Sequence, residues 1–166
     1  EIKDKNITID LGGHTLSRAG YVFDIYSSNL TIQNGTIHIN RDEASTDSQT
    51  AIWCNTGAQL TIAKNATVKA APADDYCIGF WQNTSNASAE LNGTLLGSNG
   101  LTINGQITDA SNTVTINGII NTTGYGLYLA GNGTTTINDG ATITGNTGVE
   151  IRAGELNVTG GIITGG

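Results

Sequence analysis

Apolar and polar positions along this chain alternate in short runs, and one such run occurs seven times. Each copy reads apolar–Thr–apolar or a close variant, followed by a few residues that include Asn or Gly. The last apolar residues of the copies are Ile9, Ile32, Ile62, Leu91, Ile116, Ile137 and Val158. They are separated by 23, 30, 29, 25, 21 and 21 residues. A repeat of this length predicts a solenoid, in which each unit buries its apolar face only against its neighbours.

Each repeat, called a rung below, carries three short strand signals. In the second rung these are the repeated run at 30–32, a second run at 36–39 after a Gly corner, and a third at 52–54. Alternation with a period of two and many β-branched residues favour strands, and no window has helical spacing. The pattern predicts an all-β fold, a parallel β-helix of about seven rungs. Equivalent strands should stack ~4.8 Å apart, with ladders of Ile, Leu and Val facing inward.

Gly and Asn recur where one strand of a rung gives way to the next. We expect the corner glycines to adopt positive φ, which other residues rarely do, and the corner asparagines to tolerate it. The Asn side chains should also hydrogen-bond along the stack. These asparagines are Asn34, Asn65, Asn92, Asn117 and Asn138.

The run at 5–16, KNITIDLGGHTL, resembles the first rung of right-handed β-helices of the pectin-lyase-like superfamily. It is especially similar to repeats of large secreted bacterial surface and adhesin-like proteins. The resemblance implies a right-handed helix, but lyases, hydrolases, phage tailspikes and adhesins share such rungs, so it selects no activity. Both Glu1 and Gly166 lie within the repeat pattern. We therefore expect residues 1–166 to be a single β-helix fragment cut from a longer chain.

The low charge content narrows the classes of partner. Charged residues make up 13% of the chain and the net charge is −7, which argues against nucleic acid and anionic membrane surfaces as partners. No apolar run approaches the ~20 residues that a membrane helix needs, so we expect no membrane insertion. A surface of Thr, Asn and Gly favours a secreted or cell-surface bacterial protein.

Carboxylates are concentrated in two long loops of neighbouring rungs. Arg41 precedes one set in the second rung, and the other set lies in the third rung. Side by side, the loops would bring together five carboxylates, a candidate calcium site because calcium takes ~6–8 oxygen ligands. Solvated loop tips are the alternative interpretation. The candidate calcium ligands are Asp42, Glu43, Asp47, Asp74 and Asp75.

If the chain were an enzyme of the superfamily that it resembles, the resemblance would imply an Arg base and carboxylate-bound calcium on or beside the strands of one sheet. The carboxylates of this chain instead lie in loops. We therefore expect no catalytic residues here and no cleavage of pectin or other uronans.

Two tryptophans give the sharper binding hypothesis. Alternation along the third strand turns Trp53 outward, Trp81 follows on the next rung, and Tyr26 falls in the column of Trp81. Clustered apolar residues on a charge-poor surface mark binding sites. We predict a carbohydrate or protein contact at these rings, rimmed by Asp74 and Asp75. In the two alternatives, the long loops cover the rings as a local core, or the rings contact another domain.

These observations favour an adhesive or scaffolding stalk of a bacterial surface protein, with weak binding to a polysaccharide or to a protein of a host or cell surface. A stalk requires no cofactor. Two other functions stay open from the sequence: a polysaccharide lyase or hydrolase, and a non-catalytic carbohydrate-binding module. Whether the whole protein is an enzyme is not decided by this chain.

Overall fold

A computed structural model describes residues 1–41, 48–70 and 74–166 of the chain. The described residues form β-strands, turns and bends, and none of them is helical. Their 21 strands build three parallel sheets of seven strands each, which wind into a solenoid of about seven rungs. The predicted parallel β-helix with three strands per rung is confirmed.

The three sheets each take one strand from every rung. Sheet A contains β1 (Ile2–Lys3), β4 (Phe23–Tyr26), β7 (Thr50–Cys54), β10 (Tyr76–Phe80), β13 (Asn99–Ile103), β16 (Tyr125–Leu129) and β19 (Thr147–Ile151). Sheet B contains β2 (Asn6–Asp10), β5 (Asn29–Gln33), β8 (Gln59–Ile62), β11 (Ser88–Leu91), β14 (Thr113–Ile116), β17 (Thr134–Ile137) and β20 (Glu155–Val158). Sheet C contains β3 (Thr15–Arg18), β6 (Gly35–Ile39), β9 (Ala66–Lys69), β12 (Thr94–Gly97), β15 (Ile119–Thr122), β18 (Thr142–Gly145) and β21 (Ile162–Gly165).

The rungs stack in the register that the sequence repeat predicts. In sheet B, the last apolar residues of the seven copies pair directly with one another from β2 to β20. The side chains of Ile32, Ile62 and Ile116 in this column are completely buried. A shift of one residue would turn the whole column outward, so burial of the ladder fixes the register.

Both cysteines belong to the apolar core. Cys54 occupies the inward column of Ile25 and Phe80, and Cys77 lies one rung further on; both are buried free thiols. Burial raises the pKa of the Cys54 thiol to about 12 and has the same effect on Cys77. Since the thiolate is the reactive form, these side chains act as inert apolar filler.

The corner between sheets B and C carries the predicted asparagine ladder. Asn117 donates a hydrogen bond to the side chain of Asn92 at 2.8 Å, and Asn138 donates to Asn117 at 2.7 Å. At the start of the stack, Asn65 donates to Asn34, which in turn donates to Asp10 at 2.8 Å. Side-chain hydrogen bonds thus join successive rungs in parallel with the backbone ladders.

The reason for the corner residues differs in part from our expectation. Among the five ladder asparagines, only Asn34 has a positive φ. Gly93 and Gly118 do not have one, but a Cβ at Gly118 would lie 2.0 Å from the carbonyl oxygen of Gly93. These glycines are therefore required by the close stacking of the corners, not by a left-handed backbone.

The two long loops follow sheet C and lead into sheet A. Residues 42–47 and 71–73 lie outside the described part of the chain, but the segments that close the loops are in contact. The backbone N–H of Tyr76 donates to the carbonyl of Gln49 at 2.8 Å, and the Ser48 hydroxyl donates to the carbonyl of Asp74 at 2.6 Å. The described ends of the loops therefore lie side by side at one corner of the solenoid.

Candidate functional site

The outer face of sheet A carries the aromatic side chains with polar atoms. All five tyrosines and both tryptophans of the chain lie on its strands or within two residues of them. These residues are Tyr21, Tyr26, Trp53, Tyr76, Trp81, Tyr125 and Tyr128. Because equivalent strands stack in register, aromatic residues distant in sequence are brought to one surface.

Trp53 and Trp81 form an edge-to-face pair on this surface. Their ring centroids are 4.7 Å apart and the ring planes are inclined at 84°. Trp53 pairs in the sheet with Gly79, and a Cβ at that position would lie 2.5 Å from the Trp53 ring. The absence of a side chain at Gly79 thus leaves space for the indole. Trp81 is 43% exposed, whereas Trp53 is partly buried.

A pocket of about 390 Å³, called the tryptophan pocket below, opens beside these rings. Its residues come from β4, β7 and the segments that flank β4, β7 and β10. They are Tyr21, Asp24, Tyr26, Ser48, Gln49, Trp53, Asn55 and Trp81. The structure therefore brings together three of the residues predicted from sequence, namely Trp53, Trp81 and Tyr26.

Asp24 supplies the carboxylate of the tryptophan pocket, and the sequence analysis missed it. Asp24 pairs with Trp53 in the sheet, and its Oδ1 accepts a hydrogen bond from Asn55 Nδ2 at 2.5 Å. Burial, followed by the nearby Asp24 charge and a hydrogen bond to Asp24, raises the pKa of Tyr26. The Tyr26 hydroxyl is thus a neutral donor at physiological pH. The period-two alternation that located Trp53 also turns Asp24 outward and was the available signal.

The predicted acidic rim is not at this pocket. Asp75 is completely buried and forms an ion pair with Arg41, with contacts of 2.5 and 2.8 Å. It also accepts the backbone N–H of Gln49 at 2.7 Å. These bonds give Asp75 a structural role in joining the loop ends, so we correct its assignment as a contact for a surface ligand. Asp74 is exposed and lines a different pocket.

The calcium hypothesis stays a prediction. Asp42, Glu43 and Asp47 lie outside the described residues. Within 1–41, 48–70 and 74–166, no group of three or more His, Cys, Asp or Glu side chains is arranged to hold a metal ion. The described carboxylate Asp75 already has Arg41 as its partner. Because the side chain of Arg41 is only 7% exposed, it is also poorly placed to act as a base on a substrate.

A second pocket, called the tyrosine pocket below, lies further along sheet A and has a volume of about 450 Å³. Its aromatic walls are Tyr76, Tyr125 and Tyr128, and the centroids of the last two rings are 5.2 Å apart with planes inclined at 51°. Its other residues are Ser48, Asp74, Asn99 and Gly124. The sequence analysis missed this cluster, although all three tyrosines lie in the third strands of their rungs.

The hydroxyl of Tyr76 is partly buried among other ionisable groups. Burial, then the neighbouring Tyr128 and Tyr125 and the carboxylates of Asp74 and Glu150, raises the pKa of Tyr76 to about 12. The guanidinium carbon of Arg152 lies 5.1 Å from the ring centroid of Tyr128, and Arg152 also bonds to Glu150 at 2.6 Å. The Tyr128 ring therefore lies within cation–π distance of a guanidinium that Glu150 also holds.

No protein-family model matches this sequence, and searches of curated proteins and of solved structures find no significant match. The likeness to the pectin-lyase-like superfamily therefore rests on the run at 5–16 and on the solenoid itself. The described residues contain no helix of the length and apolar character needed to cross a membrane.

Proposed function

We propose that this chain is a rigid segment of a bacterial surface protein that binds carbohydrate weakly through the tryptophan pocket. The observation that carries the proposal is the edge-to-face pair of Trp53 and Trp81 beside the carboxylate of Asp24. Sugars present apolar C–H faces and polar hydroxyl edges, so they require flat aromatic surfaces next to hydrogen-bonding groups. A concave site with apolar walls and a few convergent polar groups is typical of small-molecule binding.

The polar groups of the pocket suit neutral sugar hydroxyls. Asp24 accepts hydrogen bonds, Asn55 can donate and accept, and the Tyr26 hydroxyl stays protonated at physiological pH. Trp81 is 43% exposed and therefore offers part of its indole ring for stacking on a sugar. Because the only charge among the lining residues is that of Asp24, we expect affinity to depend only modestly on salt.

The scaffold suits a stalk because hydrogen bonds between successive rungs make the solenoid stiff along its axis. Backbone ladders in three sheets join each rung to the next, and the bonds of Asn117 to Asn92 and of Asn138 to Asn117 reinforce them at one corner. This proposal includes secretion to a bacterial cell surface and membership of the pectin-lyase-like superfamily. It also includes a polysaccharide or a surface protein as the partner. It requires no cofactor, and calcium at the loop carboxylates is a separate hypothesis.

Lyase or hydrolase activity is not our proposal because the geometry does not favour it. The one arginine near the predicted acidic loops, Arg41, is held in a buried ion pair with Asp75. A non-catalytic carbohydrate-binding module would use the same pocket, and it differs from the stalk only in the domains beside it.

Binding is tested by screening the purified chain on a glycan array and titrating the hits by calorimetry and tryptophan emission. The chain has two tryptophans, both in the pocket, so emission reports this site directly. Trp53→Ala and Trp81→Ala should each weaken binding by about 2- to 12-fold, the range expected when one aromatic contact is lost. Thr102→Ala, in the same sheet column as Trp53 but two strands away, is the control and should bind normally.

Two results would overturn the proposal. One is normal glycan binding by both tryptophan variants. The other is loss of the β-sheet circular dichroism spectrum in both, which would make the rings part of a local core.

A further inference from the structure

We propose that the tyrosine pocket binds a trimethylammonium group, such as that of choline. This inference does not depend on the tryptophan pocket or on carbohydrate binding. It rests on three aromatic walls and on an exposed carboxylate at the rim.

Two of the aromatic walls come from strands that are separated by one intervening strand. Tyr76 and Tyr125 occupy the same column of sheet A, and Asn99 of the intervening strand pairs with Tyr76. The two tyrosines are therefore two strand spacings apart, or ~9.6 Å at the backbone. Asn99 lies between them in this column, and all three residues line the pocket.

The buried side chain of Asn99 forms the floor of the pocket and is held by two hydrogen bonds. Its Nδ2 donates to the carbonyl of Asp75 at 3.3 Å, and its Oδ1 accepts the backbone N–H of Tyr125 at 2.8 Å. These bonds use one of the two N–H groups of the amide and one acceptor position of its oxygen, and Asn99 is only 5% exposed. A trimethylammonium group, which has no N–H to donate, requires no hydrogen-bond acceptor from this floor and can contact the aromatic walls through its methyl groups.

The third wall sets the pocket apart from a platform for sugar stacking. The rings of Tyr125 and Tyr128 are inclined at 51°, so they form walls of a concave site instead of a flat surface. Arg152, held by its ion pair with Glu150, lies with its guanidinium carbon 5.1 Å from the centroid of the Tyr128 ring. Asp74 lies exposed at the rim and adds a negative charge that no guanidinium neutralises in the contacts described for it.

The proposal is tested by titrating the whole chain with choline and with tetramethylammonium, followed by NMR chemical shifts of the tyrosine ring protons. The neutral analogue of choline, in which carbon replaces the ammonium nitrogen, is the control ligand. We expect choline to bind at least ~5-fold more tightly than this analogue, because only the charged group gains the cation–π attraction. Similar shifts with tetramethylammonium assign recognition to the ammonium group, whereas shifts with choline alone assign part of it to the hydroxyethyl arm.

Matched variants separate ring attraction from folding. Tyr125→Phe keeps the aromatic face and should bind within ~2-fold of the parent, whereas Tyr125→Leu should lose about 5- to 30-fold. Asp74→Asn changes an exposed side chain, preserves the fold and should lower choline affinity, with no effect on the neutral analogue. Unchanged tryptophan emission serves as the check that each variant is folded.

Equal binding of choline and its neutral analogue would refute the proposal, as would full choline binding by Tyr125→Leu. If Tyr125→Leu unfolds, Asp74→Asn decides: choline affinity equal to that of the parent overturns the role of the rim carboxylate and with it the proposal.

Discussion

The buried ion pair between Arg41 and Asp75 should stabilise the corner that holds both pockets. The Asp75 side chain has no exposed area and that of Arg41 is 7% exposed. Replacing Arg41 by Met keeps most of the apolar stem and removes the charge. Asp75 would then retain the backbone N–H of Gln49 and lose the guanidinium.

The expected cost follows from stranding a buried charge. Removing one partner of a buried pair costs about 3–5 kcal/mol. For a chain of this size, each kcal/mol lowers the unfolding midpoint by about 2–4 °C, so Arg41→Met should lower it by roughly 6–20 °C. The double variant Arg41→Met/Asp75→Asn should recover much of this loss, because it buries no charge and keeps an acceptor for Gln49.

The assay is thermal and urea unfolding, followed in parallel by far-ultraviolet circular dichroism and tryptophan emission. Emission reports this corner because Ser48 and Gln49 line the tryptophan pocket. Arg152→Met is the matched control: its ion pair with Glu150 is 2.6 Å long, but the arginine is 61% exposed, and such pairs contribute little. The reasoning is refuted if Arg41→Met and Arg152→Met shift the midpoint equally, or if the double variant is less stable than Arg41→Met.

Two further predictions concern the core and the corners. Gly118→Ala should destabilise the solenoid strongly, because the new Cβ would lie 2.0 Å from the Gly93 carbonyl oxygen, whereas Gly20→Ala should be nearly neutral, since nothing lies within 4 Å; urea midpoints compare them. The contribution of the two buried thiols to the free energy of unfolding should be fully present below pH ~9 and should decline as the pH rises from about 9 to about 12. Burial raises the pKa of Cys54 and Cys77 from 9.0 to about 12, so these thiols ionise at lower pH in the unfolded chain than in the folded chain. Urea midpoints across this range check the sign, and rapid labelling of both thiols in the folded chain at pH 8 would contradict it.

The features that follow from stacking were predictable from the sequence. In a parallel in-register solenoid, aligning the repeats amounts to aligning the strands, so the Ile ladder and the asparagine ladder are confirmed by the structure. The same alignment put Trp53 and Trp81 near each other. Period-two alternation is a local property of each strand. It predicts the direction of side chains correctly here because every strand pairs with the equivalent strands of neighbouring rungs.

The features that depend on the long loops were not predictable in the same way. Arg41 and Asp75 lie 34 residues apart in segments that do not repeat, so no periodicity pointed to their pairing. Alternation in the third strands of the rungs also indicated an outward position for Asp24 and for Tyr128 of the tyrosine pocket. The predicted binding surface was based on the tryptophans and did not include them. Positive φ was expected at the corner glycines and is found at Gly12 and Gly140, but Gly93 and Gly118 are required by close contacts between rungs, which are not visible in one sequence.

The rungs near the end of the chain have a uniform length of 21 residues. The separation between residues on different strands of sheet A can therefore change only by whole strand spacings. Inserting one such rung between β13 and β16 would move Tyr125 away from Tyr76 by one strand spacing, ~4.8 Å, without changing the strand on which either lies. A surface built in this way can alter the size of guest it accepts only in whole steps. Duplication or loss of a single rung would therefore change specificity abruptly, and point substitutions would adjust affinity within each step.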